Sequence, residues 1–260
     1  MSPLINILTD YKQNSLEDAE LIAAIYSANP ESKILANKSN FETTSTIGPA
    51  MYLKLLIDKF PANTIHLIDT KISSNLPEEY MICYFKKQFI IGPNNGIIPL
   101  LAEGEDTIKF GFNQKPGKFI SYARDIAYIG ISLILEANFE IENIAMEPLK
   151  KTVASVINPA PFDGTKFNLQ ILYFDENGDA FLNLKKDEFE AQIGQKKFRI
   201  RLSINNSIEK ISPHYTVSSP GDVVAVFHSS GYLQLICHHG SAKQLLGFNK
   251  HNPIILQVWE

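Results

Sequence analysis

The chain has 260 residues, of which 45% are hydrophobic and 20% charged, a composition typical of a folded globular protein rather than a disordered or fibrous one. The formal net charge of -4 at pH 7 gives no electrostatic reason for binding DNA or RNA, so a nucleic-acid partner is disfavoured. No stretch approaches the roughly 18 consecutive apolar residues of a transmembrane helix, so a membrane protein is not expected.

The two cysteines, Cys83 and Cys237, are too few and too far apart for a disulfide framework, which fits a reducing compartment. The first residues, MSPLINILTDYKQ, lack the basic start, apolar run and cleavage site of a secretory signal peptide. We therefore expect a cytoplasmic protein.

Short apolar runs alternate with amphipathic stretches through the first half of the chain. The strands predicted there lie at residues 4–9, 33–37 and 63–69, with a hairpin at 81–91, and the helices at 15–28, 46–60 and 121–137. Strands that alternate with helices indicate a layered domain. We therefore predict an α/β domain over residues 1–150, with a central sheet and helices on both faces.

The pattern changes in the second half of the chain. Strand-like runs at 167–184, 196–204, 221–237 and 253–260 are joined by Gly, Asn, Ser and Pro turns, and only residues 243–247 suggest a short helix. This pattern predicts a separate all-β domain over residues 151–260, mostly antiparallel and barrel-like, with its boundary between residues 145 and 167.

Two predicted strands of the α/β domain end in an aspartate, at Asp10 and Asp69. In open α/β sheets, ligands lie beyond the carboxyl ends of the strands, where an aspartate is well placed for a ribose diol or a cation. Each aspartate could equally cap the turn that follows it. Two such strand ends in one domain favour a shared crevice.

A cluster of histidines and a cysteine, His228 and Cys237-His238-His239, raises the question of a metal site. A zinc site needs ligand pairs whose spacing lets them converge on one point, and this stretch has no such spacing. A strand through these residues would place His238 and His239 on opposite faces. We therefore expect no metal site, and we interpret Cys237 as a small buried hydrophobic residue.

Two other polar stretches are interpreted as turns. The Ser229-Ser230 pair lacks the G-x-S-x-G frame of a nucleophile elbow, so its hydroxyls either donate to a ligand carboxylate or belong to a plain turn. The stretch from Asp175 to Asp179 resembles a calcium loop in composition but does not fit the twelve-position frame, and a hairpin turn is predicted.

Taken in order, LTDY, FPANTIHLID, IGPNNGII, RDI, FDENGDAFLNL and SSGYLQL with GSAKQLLG resemble the S-adenosylmethionine (SAM) hydroxide adenosyltransferase family, which includes fluorinases and chlorinases. The resemblance spans nearly the whole chain and depends on the ordered set. It implies a trimer that binds its ligand between domains of neighbouring subunits, and substitution at the 5′ carbon of SAM by water or halide. No cofactor is implied, because the sulfonium leaves as a neutral thioether and catalysis depends on positioning and desolvation.

The resemblance also implies roles for individual residues. The substrate-binding set would be Asp10 on the ribose hydroxyls, Asp175 on the methionine ammonium, Ser229 and Ser230 on the methionine carboxylate, and Asp179 with the backbone near His239 on adenine.

The water-activating Asp-Arg-His set of the family is only partly matched. Asp69 corresponds to its aspartate, but its arginine falls near Leu76 and its histidine at Tyr122, within YARD instead of HGRD. Asp69, together with Tyr122, would then position water. A halogenase is not favoured, because Ile72 replaces the residue whose hydroxyl lies beside the halide.

The adenine end departs from the family as well, since an F-G-N motif becomes Asn177-Gly178-Asp179. An asparagine can donate to N7 and accept from the amino group of adenine, whereas an ionised aspartate can only accept. Adenine recognition is therefore changed unless Asp179 is protonated. In addition, LTDFG has become LTDYK, so Lys12 adds a charge near the ribose end.

Two hypotheses of different classes follow. The first is a SAM hydrolase that gives adenosine and L-methionine, favoured by the retained Asp10, Asp69 and Ser229. The second is a non-catalytic protein that binds SAM or a nucleoside and has kept the fold without the chemistry, favoured by the missing arginine and histidine.

Overall fold

The computed structural model describes residues 2–12, 14–38, 46–70, 79–112, 121–149, 151–202, 206–215, 218–245, 247 and 254–260. The chain divides into two compact units, Met1–Val156 and Ile157–Glu260.

The N-terminal unit contains a six-stranded mixed sheet. Its strands are β1 (Leu4–Thr9), β2 (Lys33–Lys38), β3 (Ile65–Asp69), β4 (Tyr80–Phe85), β5 (Gln88–Pro93) and β6 (Ile108–Gly111). They are arranged in the order β2-β1-β3-β5-β4-β6, in which β4 alone runs antiparallel to its neighbours β5 and β6, and the other five strands share one direction. The parallel part has near-continuous apolar strands, as expected for strands that are covered on both faces.

In the described part of this unit, four α-helices accompany the sheet. They are α1 (Leu16–Ala28), α2 (Ile47–Leu56), α3 (Ile97–Ala102) and α4 (Tyr128–Glu136), with a 3-10 turn after α2, a further 3-10 turn at Ile141–Asn143, and a π-helical turn, Tyr122–Ala127, that leads into α4. The predicted start of α1 is confirmed, because the Ser15 Oγ accepts the Asp18 N–H at 3.3 Å as an N-cap. Among the described residues, no helix is both long and apolar enough to cross a membrane.

The helices cover both faces of the sheet. On one face, Ile7 and Leu67 form a buried cluster with side chains of α1 and α4, such as Ile25 and Ile131. Gln88 points to the opposite face, where its Nε2 donates to the carbonyl that follows α2. The predicted α/β architecture of this domain is therefore confirmed.

A buried polar chain runs through the centre of the same sheet. Asn6, His66 and Gln88 lie on β1, β3 and β5, with His66 Nδ1 at 3.0 Å from Asn6 Nδ2 and His66 Nε2 at 2.7 Å from Gln88 Oε1. Burial lowers the pKa of His66 to about 4, so the ring is neutral. The neutral ring accepts from the Asn6 amide at Nδ1 and donates from Nε2, which satisfies the buried groups.

The strand order creates a topological switch point between β1 and β3. From β1 the chain continues to β2 on one side, and it then crosses to β3 on the other side. In open α/β sheets, ligands bind beyond the carboxyl ends of the strands at such a switch point.

The C-terminal unit is mostly antiparallel β. Its elements are β7 (Lys166–Leu169), β8 (Ile171–Phe174), β9 (Ala180–Lys185), α5 (Lys186–Gln192), β10 (Lys197–Arg201), β11 (Ser207–Ile208), β12 (Val223–Phe227), β13 (Tyr232–Cys237), α6 (Ala242–Leu245) and β14 (Ile254–Trp259). Two four-stranded sheets, β11-β10-β14-β7 and β12-β13-β9-β8, contribute residues such as Leu182, Leu233 and Leu256 to a single core. The predicted strand-rich domain is confirmed.

The expectation that this unit has only one short helix was wrong. Helix α5 follows β9 directly, and the Lys185 N–H donates to Glu188 Oε2 at 3.0 Å at its start. Phe189 is the one buried residue within the helix, so the sequence carries little of the periodicity that predicts an amphipathic helix.

Candidate functional site

The two strand-end aspartates lie at the switch point of the N-terminal sheet. Asp69 is the last residue of β3 and pairs in register with Thr9, the last residue of β1, and Asp10 follows directly. Both carboxylates therefore lie at the switch point, on neighbouring parallel strands. The sheet positions them as the sequence predicted, although the sequence could not show what surrounds them.

The carboxylate of Asp69 accepts a hydrogen bond from Tyr11. The Tyr11 hydroxyl donates to Asp69 Oδ2. Burial, and next the charge of Asp69, raise the pKa of Tyr11 far above its ordinary value. Tyr11 is therefore a neutral phenol that supplies a charge-assisted hydrogen bond to the carboxylate.

Tyr122, predicted to help position water, lies in the π-helical turn and is buried. Its hydroxyl donates to the Ile91 carbonyl at 2.9 Å, and its ring lies 5.5 Å from that of Tyr80. Burial and then the charge of Asp69 raise the pKa of Tyr122 well above its ordinary value. Because a neutral phenol has one proton, Tyr122 in this arrangement can only accept a hydrogen bond from a water molecule.

A buried hydroxyl lies on the same face of the sheet as Asp69. Side chains alternate along a strand, so Thr9 shares the face of Ile7, and its register partner is Asp69. Thr9 is fully buried, and its Oγ1 has no hydrogen-bond partner within the described ranges. Buried hydroxyls normally have a partner, so Thr9 is suited to hold a water or substrate hydroxyl. Ile72 and Leu76, which the family resemblance aligned with functional positions, lie outside the described residues.

In the C-terminal unit, Asp175 builds the turn between β8 and β9. Its Oδ1 accepts the N–H groups of Asn177 at 3.0 Å and Asp179 at 2.9 Å, and Gly178 has a φ of 81° that favours glycine. Burial raises the pKa of Asp175 above its ordinary value. The predicted hairpin turn is present. Asp175, to which the family resemblance gives the methionine ammonium, uses its Oδ1 to form this turn.

Asp179 is buried at the start of β9, with 8% of its surface exposed. Gln234 Nε2 donates to its Oδ2 at 3.3 Å, and the Cys237 N–H also donates to the carboxylate. Burial, followed by the charge of Asp175, raises the pKa of Asp179 to about 7. A substantial fraction of Asp179 is therefore protonated at neutral pH, and the acid form has the donor and acceptor of an asparagine.

A cavity of about 750 Å³ in this unit is lined by three of the predicted substrate-binding residues, Asp179, Ser229 and His239. Gln234 and Tyr215 line it as well. Its volume lies within the ordinary range for small-molecule sites.

Aromatic rings form part of the cavity wall. His214 stacks on Tyr215 with ring centroids 4.7 Å apart, His238 stacks on His239 at 4.5 Å, and the Tyr215 and His238 rings meet edge to face. The prediction that His238 and His239 face opposite ways was wrong, because β13 ends at Cys237 and His239 has a left-handed φ of 55°. Within the described part of the chain, no three His, Cys, Asp or Glu residues are grouped to hold a metal ion.

The two predicted serines lie in the turn between β12 and β13 and differ in their surroundings. Ser229 is exposed and lines the cavity. Ser230 Oγ lies 2.8 Å from His228 Nδ1, which also accepts the Ser230 N–H at 3.1 Å. Gly231 completes the turn with a φ of 87° and donates to the His228 carbonyl at 2.8 Å. Ser230 therefore supports the turn, and Ser229 is the residue presented to the cavity.

The residues of these sites that were missed in the sequence include Thr9, Tyr11, Gln234 and Tyr215. Tyr11 follows Asp10 directly and was visible as the change from LTDFG to LTDYK, but its contact with Asp69 joins residues far apart in the chain. Gln234 interrupts an apolar strand, a signal that could have been followed across the sheet. Tyr215 lies in a loop without a recognisable pattern.

Comparisons with known proteins agree over most of the chain. The model of the SAM hydroxide adenosyltransferase N-terminal domain matches residues 5–139, and that of the C-terminal domain matches residues 169–255. An uncharacterized conserved protein from Thermotoga maritima is similar in structure, with a TM-score of 0.79, 19% identity, and coverage of 97% of this chain and 99% of that one. A conserved hypothetical protein from Thermus thermophilus has a TM-score of 0.69 and 18% identity over 100% of both chains. The two likenesses concern the fold, and the two domain matches show that the chain belongs to the SAM hydroxide adenosyltransferase family.

Proposed function

We propose that the protein hydrolyses SAM, with water attacking the ribose 5′ carbon to give adenosine and L-methionine. Membership of the family supports a SAM-related activity in general terms. The observation that carries the finer proposal is the position of Asp10 and Asp69 at the carboxyl ends of adjacent parallel strands that flank a switch point.

The chemistry needs one proton acceptor and no general acid. As the water oxygen bonds to the 5′ carbon, the carbon–sulfur bond breaks and its electron pair stays on sulfur, which leaves as the neutral thioether of methionine. The proton released by water passes to Asp69, whose position is held by the Tyr11 hydroxyl. Thr9 Oγ1 and Tyr122 are proposed to orient the water.

The proposed substrate contacts follow the family resemblance. They are Asp10 for the ribose hydroxyls, Asp175 for the methionine ammonium, Ser229 and Ser230 for the methionine carboxylate, and Asp179 with the backbone at His239 for adenine. The turn geometry supports Ser229 more strongly than Ser230, because Ser229 lines the cavity whereas Ser230 bonds to His228.

A trimeric assembly and a cytoplasmic location belong to the same proposal. Cys83 and Cys237 are both free and buried, as expected in a reducing compartment. Light scattering coupled to size-exclusion chromatography should give about three times the 29.2 kDa mass of one chain.

The alternative is a non-catalytic protein that binds SAM or a nucleoside. One observation favours it: the only proton of the Tyr122 hydroxyl goes to the Ile91 carbonyl, so the position of the family's histidine offers no donor to water. Binding without turnover is the result that this alternative predicts.

The test is incubation of the full chain with SAM in oxygen-18 water, followed by mass spectrometry. Hydrolysis at the 5′ carbon places the heavy oxygen in adenosine and none in methionine. Asp10→Ala and Asp69→Asn should abolish product, whereas Asp106→Asn, a matched change at an exposed aspartate, should leave the rate unchanged. Tight binding of SAM without product, measured by calorimetry, would replace the hydrolase with the alternative.

A further inference from the structure

The hydrogen bonds that Asp179 makes within the protein would leave a proton on its carboxyl unused. Among the described residues, Gln234 Nε2 and the Cys237 N–H bond to the carboxyl, and both are donors. A proton on Asp179 cannot bond to either of them. Because Asp179 also lines the cavity of the C-terminal unit, the acid O–H is available there to a bound molecule.

The charged surroundings of Asp179 favour the protonated form. Asp175, in the same turn, is the neighbouring carboxylate that contributes to the raised pKa. The ammonium of Lys243 on α6 lies over the Phe174 ring, 5.0 Å from its centroid. Other titratable groups around the cavity include Cys237, His238 and His239 at the end of β13, Asp222 and His228 at the two ends of β12, and His214 and Tyr215 before β12.

The two forms of Asp179 match different base edges. Adenine presents a ring nitrogen acceptor beside an amino donor, so it needs a partner that both donates and accepts. A protonated carboxyl supplies both, whereas a carboxylate supplies acceptors only and suits an edge with two adjacent donors, such as the Watson–Crick edge of guanine.

We infer that binding of an adenine nucleoside in this cavity is coupled to the uptake of one proton by Asp179. The inference rests on the proposed function, because it takes the adenine end of the ligand to lie in this cavity. It goes beyond that function by making base selection depend on the protonation of one residue. An asparagine at this position would bind adenine without such coupling.

The coupling predicts a measurable pH dependence. The apparent affinity falls with the fraction of protein in the competent state. With a pKa of about 7, this fraction is about nine tenths at pH 6 and about one tenth at pH 8. The affinity for adenosine should therefore fall about tenfold between these pH values.

The experiment is isothermal titration of the full chain with adenosine and with guanosine between about pH 6 and pH 8, in buffers of different ionisation enthalpy that report proton uptake. Wild-type protein should take up about half a proton per adenosine at pH 7 and close to one at about pH 8, and the preference for adenosine over guanosine should shrink as pH rises. Asp179→Asn should bind adenosine with nearly constant affinity. It retains every other titratable group of the cavity, so any remaining pH dependence belongs to those groups.

Asp222→Asn is the matched control. Asp222 is exposed at the start of β12, and the substitution removes the same charge without touching Asp179. This variant should keep the tenfold dependence of the wild-type protein. If Asp222→Asn loses the pH dependence of adenosine binding, that dependence comes from the overall charge of the unit, and the inference is overturned.

The cleavage assay separates this inference from the proposed function. Cleavage of SAM combined with pH-independent adenosine binding overturns the proton coupling alone. Proton-coupled adenosine binding without cleavage overturns the hydrolase and supports the coupling. No binding of adenosine at any pH overturns the coupling, and if cleavage is absent as well, it overturns both.

Discussion

Two aspartates, Asp69 in the N-terminal unit and Asp179 in the C-terminal unit, lie in opposite kinds of surroundings. Asp69 accepts a hydrogen bond from the neutral hydroxyl of Tyr11. Asp179 is more deeply buried and lies beside a second carboxylate, Asp175. A hydroxyl donor stabilises a carboxylate, whereas burial beside a like charge favours the protonated acid. The same side chain is therefore suited to accept a proton at one position and to donate a hydrogen bond at the other.

The largest expected effect comes from replacing each of these aspartates by asparagine in a separate variant. Asp69→Asn removes the proposed proton acceptor and should lower the rate of SAM cleavage by about 100-fold or more. Its affinity for adenosine should remain within about twofold of the wild-type value, because the base cavity is built from other residues.

Initial rates from mass spectrometry and calorimetric titrations measure the two quantities. Asp179→Asn should show the reverse pattern, with cleavage retained and the pH dependence of adenosine binding lost. Equal losses of rate and affinity in both variants would contradict the division of roles between the two aspartates.

The second prediction concerns His66, a third buried titratable group that lies outside both sites. Its pKa of about 4 is below the value of about 6.5 of an unfolded chain. The neutral ring therefore stabilises the fold fully above pH 6.5, and this stabilisation is lost as the pH falls from 6.5 to 4. The loss should be about 3 kcal/mol in the free energy of unfolding.

Urea unfolding between pH 7 and pH 4 measures this loss. His66→Gln, whose amide can still bond to Asn6 and Gln88, should lower the acid sensitivity by most of that amount, whereas the exposed control His239→Gln should not. If the acid sensitivity of His66→Gln is unchanged, the loss of stability at low pH comes from other titratable groups.

The third prediction tests the role of Tyr11 beside Asp69. Tyr11→Phe keeps the ring and removes the hydroxyl, so Asp69 loses one charge-assisted hydrogen bond and its fixed orientation. The turnover number should fall about tenfold with little change in the KM for SAM. Tyr26→Phe, at an exposed tyrosine, is the matched control. A faster Tyr11→Phe enzyme would mean instead that the phenol keeps water away from Asp69.

The sequence predicted much of the fold because its signals are local. The strand-end aspartates Asp10 and Asp69 were recognisable, since parallel strands place their carboxyl ends on one edge. Helix α5 was missed because a seven-residue helix with one buried side chain, Phe189, shows hardly any periodicity. The orientation of His238 and His239 was wrong, because strand alternation was extended past Cys237 into a turn.

The candidate sites were less predictable, because they depend on contacts between distant residues. Tyr11 and Asp69 are separated by 58 positions, and Gln234 and Asp179 by 55. The sequence could pose the question whether Asp179 is protonated, but the answer depends on burial and on Asp175. Side-chain contacts of this kind are set by tertiary packing, which a single sequence does not reveal.

The smallest expected effect distinguishes the two serines of the β12–β13 turn. Ser229 lines the cavity, and its hydroxyl is proposed to donate to the methionine carboxylate, so Ser229→Ala should raise the KM for SAM about threefold. Ser230 Oγ bonds to His228, and Ser230→Ala should change the KM by less than about twofold while slightly lowering the unfolding temperature.

Adenosine offers an internal reference for this last pair, because it lacks the methionine group. Neither substitution should alter the affinity for adenosine, so a change in KM for SAM that is absent for adenosine locates the effect at the amino-acid end of the ligand. If Ser230→Ala instead gives the larger change, the carboxylate contact belongs to the residue held by His228. In that case Ser230, which bonds to His228, would donate to the carboxylate in place of the exposed Ser229.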